Sequence, residues 1–129
     1  MAINENMAIL VVDDHNTMVR ITADLLRSIG FRDIDGAADG AAALAMAEKK
    51  KYDLVISDWN MAEITGLDLL HRLKDAKDHP RFIMVSAESR TDRIIEARNA
   101  GADAYVVKPY SALVLRVKID ALFRDAVAA

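Results

Sequence analysis

The sequence contains no cysteine, which excludes disulfides, thiolate catalysis and thiolate metal sites while saying little about compartment. No apolar run approaches the roughly 20 residues of a membrane span. The opening residues Met1 to Asn6 lack the basic region of a signal peptide, so the chain is expected to be cytoplasmic. A basic stripe is also missing: Lys and Arg are scattered and the formal net charge is -3, which argues against nucleic acid as a partner. Asp13 to Thr17 holds no glycine, so no glycine-rich loop brings backbone against a nucleotide phosphate there. No internal repeat, low-complexity linker or composition break marks a second domain.

What is present is an ordinary globular composition, 53% hydrophobic over 129 residues. That length suits one domain, and the chain is expected to be a single domain, residues 1–129, with no separate output module. Ala8 to Val12 is a continuous apolar run ending in acids, as expected of a strand buried on both faces. From His15, residues Met18, Thr22, Leu25, Leu26 and Ile29 recur at helical spacing up to Gly30. The alternation repeats with a strand near Asp33 to Ala37, a helix from about Asp39 to Lys50 with Asp39 as N-cap, and a strand from Leu54 to Ser57. Thr65 and Asp68 resemble a capping box, opening a helix whose inner face is expected to carry Leu67, Leu70 and Leu73. A strand from Phe82 to Val85 follows, then a helix capped by Ser89 or Thr91 and ended by Gly101, a strand from Tyr105 to Val107, and a final helix from Ser111. In that helix Leu115, Ile119, Leu122 and Phe123 fall at core spacing, while Val114, Val117 and Ala121 form a second stripe.

Five strands separated by helix-length segments predict a doubly wound α/β fold, a parallel sheet with right-handed crossovers and helices on both faces. Ligands of such sheets bind outside the carboxyl ends of the strands. Here the strands end at Asp13 and Asp14, at Asp58, at Ser86 and at Lys108. Any one of these has a bland explanation, since Asp and Ser are common where strands give way to turns. Four ends of this kind, carrying both signs of charge, are better explained as a site. Three carboxylates together raise at least one pKa unless a cation joins them, and oxygen-only donors favour a hard ion such as magnesium. An ion beside Lys108 would neutralise a phosphoryl group in transfer to an aspartate.

The segments Val11-Val12-Asp13-Asp14, Asp58-Trp59-Asn60-Met61 with Gly66, Ser86-Ala87-Glu88, and Gly101-Ala102-Asp103-Ala104-Tyr105-Val106-Val107-Lys108-Pro109 resemble the receiver domains of two-component response regulators. The resemblance spans nearly the whole chain and is strongest to free-standing chemotaxis regulators of the CheY type. It implies a flavodoxin-like sheet of order 2-1-3-4-5 with five helices. It makes Asp58 the phosphoacceptor, served by a sensor histidine kinase, with magnesium on Asp13, Asp14, Asp58 and the backbone carbonyl of Asn60. Ser86 becomes the switch hydroxyl, Lys108 the ion-pair partner of the phosphoryl group, and Tyr105 the residue that changes rotamer. Asn60 and Glu88 become the residues that tune dephosphorylation, and Lys108-Pro109 a cis peptide.

The output implied is altered affinity for a downstream protein, such as the flagellar motor switch, through the fourth helix, fifth strand and fifth helix of a monomer. A phosphatase is a further expected partner. A phosphate sink or shuttle for a shared kinase is the other role that the resemblance leaves open. Ala62 and Thr65 depart from the family pattern, standing where proline and an acidic or amide residue are usual, so the loop after Asp58 is expected to be more mobile. A haloacid-dehalogenase-like phosphatase shares the aspartyl chemistry, but it wants a second aspartate two residues after the first, and Asp13 and Asp14 are followed there by His15 and Asn16. His15 itself, beside acids near a first helical turn, reads as solvated, and His71 and His79 read as surface residues.

Overall fold

The computed structural model describes residues 6–128, with side chains described to residue 123; the reading of Met1 to Glu5 lies outside them. The elements run β1 Ala8–Val12, α1 Asn16–Ser28, β2 Asp33–Ala37, α2 Gly40–Lys49, β3 Leu54–Asp58, α3 Gly66–Lys74, β4 Arg81–Ser86, α4 Thr91–Ala100, β5 Ala104–Val107 and α5 Ala112–Ala128. All strand pairs are parallel, in the order β2-β1-β3-β4-β5. The chain leaves β1 toward β2 and returns to β3 on the other side, so the order reverses between β1 and β3 and opens a crevice at their carboxyl ends.

Alternation along the strands divides the core in two. Ala8, Leu10 and Val12 of β1 join Val55, Met84, Leu69, Leu70 and Ala97 on one face, under α2, α3 and α4. Ile9 and Val11 join Ile56, Ile83, Val85, Leu26, Leu115 and Ile119 on the other, under α1 and α5. Each fully buried Leu, Ile or Val contributes about 1.5–3 kcal/mol, and β1 is buried at every position. Among the described residues no helix is long and apolar enough to cross a membrane.

The caps anticipated at two helices are present. Asp39 accepts a hydrogen bond from the Ala42 amide at 2.7 Å, and Thr65 and Asp68 form a reciprocal capping box. The start of α4 is a correction. Its N-cap is Arg90 and carries no side-chain cap, because Thr91 already lies within the helix and a guanidinium has no acceptor for the helix amides; it donates instead to Asp92 at 2.8 Å. The inner face of α3 is a second correction. Gly66, Leu69, Leu70 and Leu73 are buried, the i, i+3, i+4, i+7 pattern of a helix stripe, and Leu67 is only half-buried at its flank. In α5, Leu115 and Ile119 are fully buried while Val114 and Val117 remain 39% and 56% exposed.

Candidate functional site

Strand register brings the predicted residues to one edge. Val12 pairs with Ser57, Asp58 with Val85, and Ser86 with Val107. Beyond the ladders, the backbone amide of Asp13 donates to Ala37 O, that of Trp59 to Val85 O, and that of Lys108 to Ser86 O. These bonds extend the sheet by one residue past each strand, so Asp13, Asp58 and Lys108 emerge side by side from a rigid frame.

Lys108 Nζ lies 3.3 Å from Asp13 Oδ2 and 3.4 Å from Asp58 Oδ1. Asp13 and Asp58 are buried, at 5% and 6% exposure, and Asp14 is exposed. Burial pushes the Asp58 carboxyl above its ordinary range; the positive charge of Lys108 opposes this, and Asp13 and Asp14 add to it. Burial pulls the Lys108 ammonium down, and the attraction of Asp58 and Asp13 overcomes that and leaves it raised. One ammonium therefore serves two carboxylates and does not fully compensate Asp58. Hard oxygen donors short of positive charge are the chemistry that suits a divalent cation such as magnesium. Asp13, Asp14 and His15 offer ligand atoms within 4.8 Å of one another. The His15 side chain is 72% exposed, with Nδ1 at 3.2 Å from Asp13 Oδ1 and 3.0 Å from Asp14 Oδ1. It is thus solvated, as its position suggests, yet in contact with both acids.

The other candidates are engaged with their own neighbours. Ser86 is fully buried and its Oγ accepts from the Glu88 amide at 3.1 Å. The Tyr105 hydroxyl donates to the Glu88 carbonyl at 2.7 Å, and its ring meets Trp59 edge-on at 6.3 Å between centroids. The Asn60 side chain turns to α4, where Arg93 Nη2 donates to its Oδ1 at 3.1 Å. The peptide bond Lys108-Pro109 is cis, and beyond it Tyr110 shares a 2.5 Å hydrogen bond with Thr22, tying the lysine loop to α1.

In the loop after Asp58, Glu63 adopts a positive φ of 65°, uncommon for a residue with a side chain. Thr65, one of the two departures from the family pattern, is the N-cap of α3. Gly66 lies against the acceptor strand: its amide donates to Trp59 O at 2.8 Å, and a Cβ there would meet Asp58 O at 2.4 Å. Arg93 was not foreseen. It lies 33 residues from Asn60, and nothing in local spacing links an arginine on α4 to that loop.

Known proteins agree with this architecture. Residues 9–120 match the family described as the response regulator receiver domain. Chemotaxis protein CheY-3 of Vibrio cholerae serotype O1 is 43% identical over 123 residues, covering 94% of this chain and 95% of that protein. Chemotaxis protein CheY of Pseudomonas aeruginosa is 46% identical over 119 residues, covering 91% and 96%. Among solved structures, the receiver domain of the Francisella response regulator 1452 superposes with a TM-score of 0.85 at 29% identity, covering 94% of this chain and 99% of that one. Vibrio cholerae CheY4 gives 0.82 at 28%, covering 91% and 98%. The chain belongs to the response regulator receiver family and is a signalling protein of CheY type.

Proposed function

We propose that Asp58 accepts a phosphoryl group from a sensor histidine kinase and that the resulting acyl phosphate changes the affinity of this chain for another protein, in chemotaxis. The observation that carries the reading is the Lys108 ammonium bridging the buried carboxylates of Asp13 and Asp58 at 3.3 and 3.4 Å. An Asp58 oxygen attacks phosphorus, the bond from phosphorus to the donor imidazole breaks, and the imidazole takes a proton from solvent. Hydrolysis returns orthophosphate and the free carboxylate.

Asp13, Asp14, Asp58 and the backbone carbonyl of Asn60 would hold magnesium. Magnesium, when bound, supplies positive charge to the phosphoryl oxygens and to the crowded carboxylates. Lys108, freed from its bridge, pairs with the phosphoryl group. Ser86 exchanges the Glu88 amide for a phosphoryl oxygen, and Tyr105, bonded to the same residue's carbonyl, responds. Each state must differ in contacts for the group to shift their balance, and Ser86 and Lys108 supply the difference.

The hollow between α4, β5 and α5, lined by Ile94, Tyr105, Lys118 and Leu122, is the face that would bind the target, a flagellar motor switch or comparable partner. Asn60 and Glu88 tune the phosphoryl lifetime, alone or with a phosphatase. The site of action is the cytoplasm, where the kinase domain and such a target meet.

The test follows Trp59 fluorescence during titration with magnesium and then with beryllofluoride, in the wild type and in Asp58→Asn. The reading expects a beryllofluoride response that requires both magnesium and Asp58. A response preserved in Asp58→Asn refutes it.

A further inference from the structure

Arg93 of α4 combines two contacts and one unsatisfied donor that no role assigned above uses. Its guanidinium carbon lies 3.9 Å from the centroid of Trp59, the residue after Asp58. Its Nη2 donates to Asn60 Oδ1 at 3.1 Å. Its Nε is buried without a hydrogen-bond partner. A planar guanidinium can stack on a ring and donate in its own plane at once, which lysine cannot do. The orphaned Nε carries a desolvation cost, so the stack and the Asn60 bond hold the group where it is. Trp59 is 6% exposed, so the ring beneath the guanidinium is itself buried.

We infer that Arg93 is the positioning residue for the Asn60 carboxamide at the rim of the Asp58 pocket, and that the lifetime of the phosphorylated state is thereby set in part from α4. The inference rests on Asp58 being the phosphoacceptor and deepens that reading. In hydrolysis a water oxygen attacks phosphorus, the bond to Asp58 Oδ breaks, and the water proton passes to solvent. A carboxamide acts on that water only when correctly turned. An unrestrained asparagine samples about three χ1 wells and roughly two amide orientations, about six states in all. Releasing it therefore slows hydrolysis by at most about six-fold.

The experiment labels the full chain with radiolabelled acetyl phosphate and magnesium, removes the donor, and follows orthophosphate release. The proteins are wild type, Arg93→Gln, Arg93→Lys, Asn60→Ala and the Arg93→Gln/Asn60→Ala double variant. Release is expected to slow in Arg93→Gln and in Arg93→Lys, which keeps the charge over the ring but not the in-plane donor. It should slow at least as much in Asn60→Ala, and the double variant should match Asn60→Ala. A purely structural role for Arg93 would instead slow release by the same factor with or without Asn60. That outcome overturns the inference, as does unchanged or faster release in Arg93→Gln, or an unchanged lifetime in Asn60→Ala. Labelling that survives Asp58→Asn is a separate result and overturns the acceptor reading itself.

Discussion

Replacing Asp58 with asparagine tests the electrostatics of the pocket without changing its shape. The two oxygens that Lys108 Nζ contacts at 3.3 and 3.4 Å lie at most about 6.7 Å apart, so at an effective dielectric of about 20 they repel by at least ~2.5 kcal/mol. Lys108 attracts the Asp58 carboxylate by about 5 kcal/mol on the same scale. Burial, the largest influence on Asp58, acts against the charge, as do Asp13 and Asp14, and the carboxyl is left raised. Ionised Asp58 is therefore a net cost in the metal-free fold. Asp58→Asn should stabilise the protein in EDTA at neutral pH by about 0.5–2 kcal/mol, the usual yield of a single stabilising substitution.

The sign with pH follows from proton binding. The folded carboxyl keeps its proton to higher pH than the unfolded one, so this contribution to wild-type stability is greatest at low pH. It is lost as pH rises through the folded pKa, above the ordinary aspartate range. The variant should lack that decline. Magnesium should reverse the ranking, since a ligand at 100 times its dissociation constant adds ~2.7 kcal/mol to the protein that binds it. Urea denaturation of both proteins, with EDTA or magnesium and across pH, reads all three effects. Destabilisation by Asp58→Asn in EDTA, or equal gains from magnesium in both proteins, would refute this account of the pocket.

Gly66→Ala places a Cβ 2.4 Å from Asp58 O and 2.8 Å from Trp59 Cα; a loss of about 1–3 kcal/mol is expected by thermal denaturation, together with weaker magnesium binding, because backbone and not a flexible side chain must yield. Ser86→Ala removes the acceptor for the Glu88 amide and should leave labelling of Asp58 largely intact while weakening phosphorylation-dependent partner binding by calorimetry; unchanged affinity would count against Ser86 as the switch. Leu115→Ala, at a fully buried position facing the sheet, should cost about 2–5 kcal/mol in urea denaturation with little effect on magnesium affinity.

Much of this was legible in the sequence because it is written locally. A strand buried on both faces, such as Val11 and Val12, reads as an apolar run, and the residue ending it must sit at the sheet edge, so Asp13, Asp58, Ser86 and Lys108 could be gathered from strand ends alone. Asp39 and Thr65 announce helix starts within three residues. The misplaced features depend on phase or on distant partners. Leu67 and Leu69 of α3 differ by two positions, about 200° around a helix, and since both are leucine the residue type does not say which of them faces in. Thr91 falls one residue inside α4 and Arg90, whose guanidinium has no acceptor to offer, stands at the N-cap, a one-residue boundary that composition does not fix. Thr22 meeting Tyr110, and Arg93 meeting Trp59 and Asn60, are contacts between segments far apart in sequence that no spacing along the chain encodes.

The most direct test of Asp58 as acceptor is chemical mapping of the phosphorylated residue. Protein treated with acetyl phosphate and magnesium is reduced with borohydride, which converts an aspartyl phosphate to homoserine, and its peptides are sequenced by mass spectrometry. The expected result is homoserine at position 58 alone, lost when magnesium is withheld. Homoserine at position 13 or 14, or a phosphoryl group retained on His15, would contradict it.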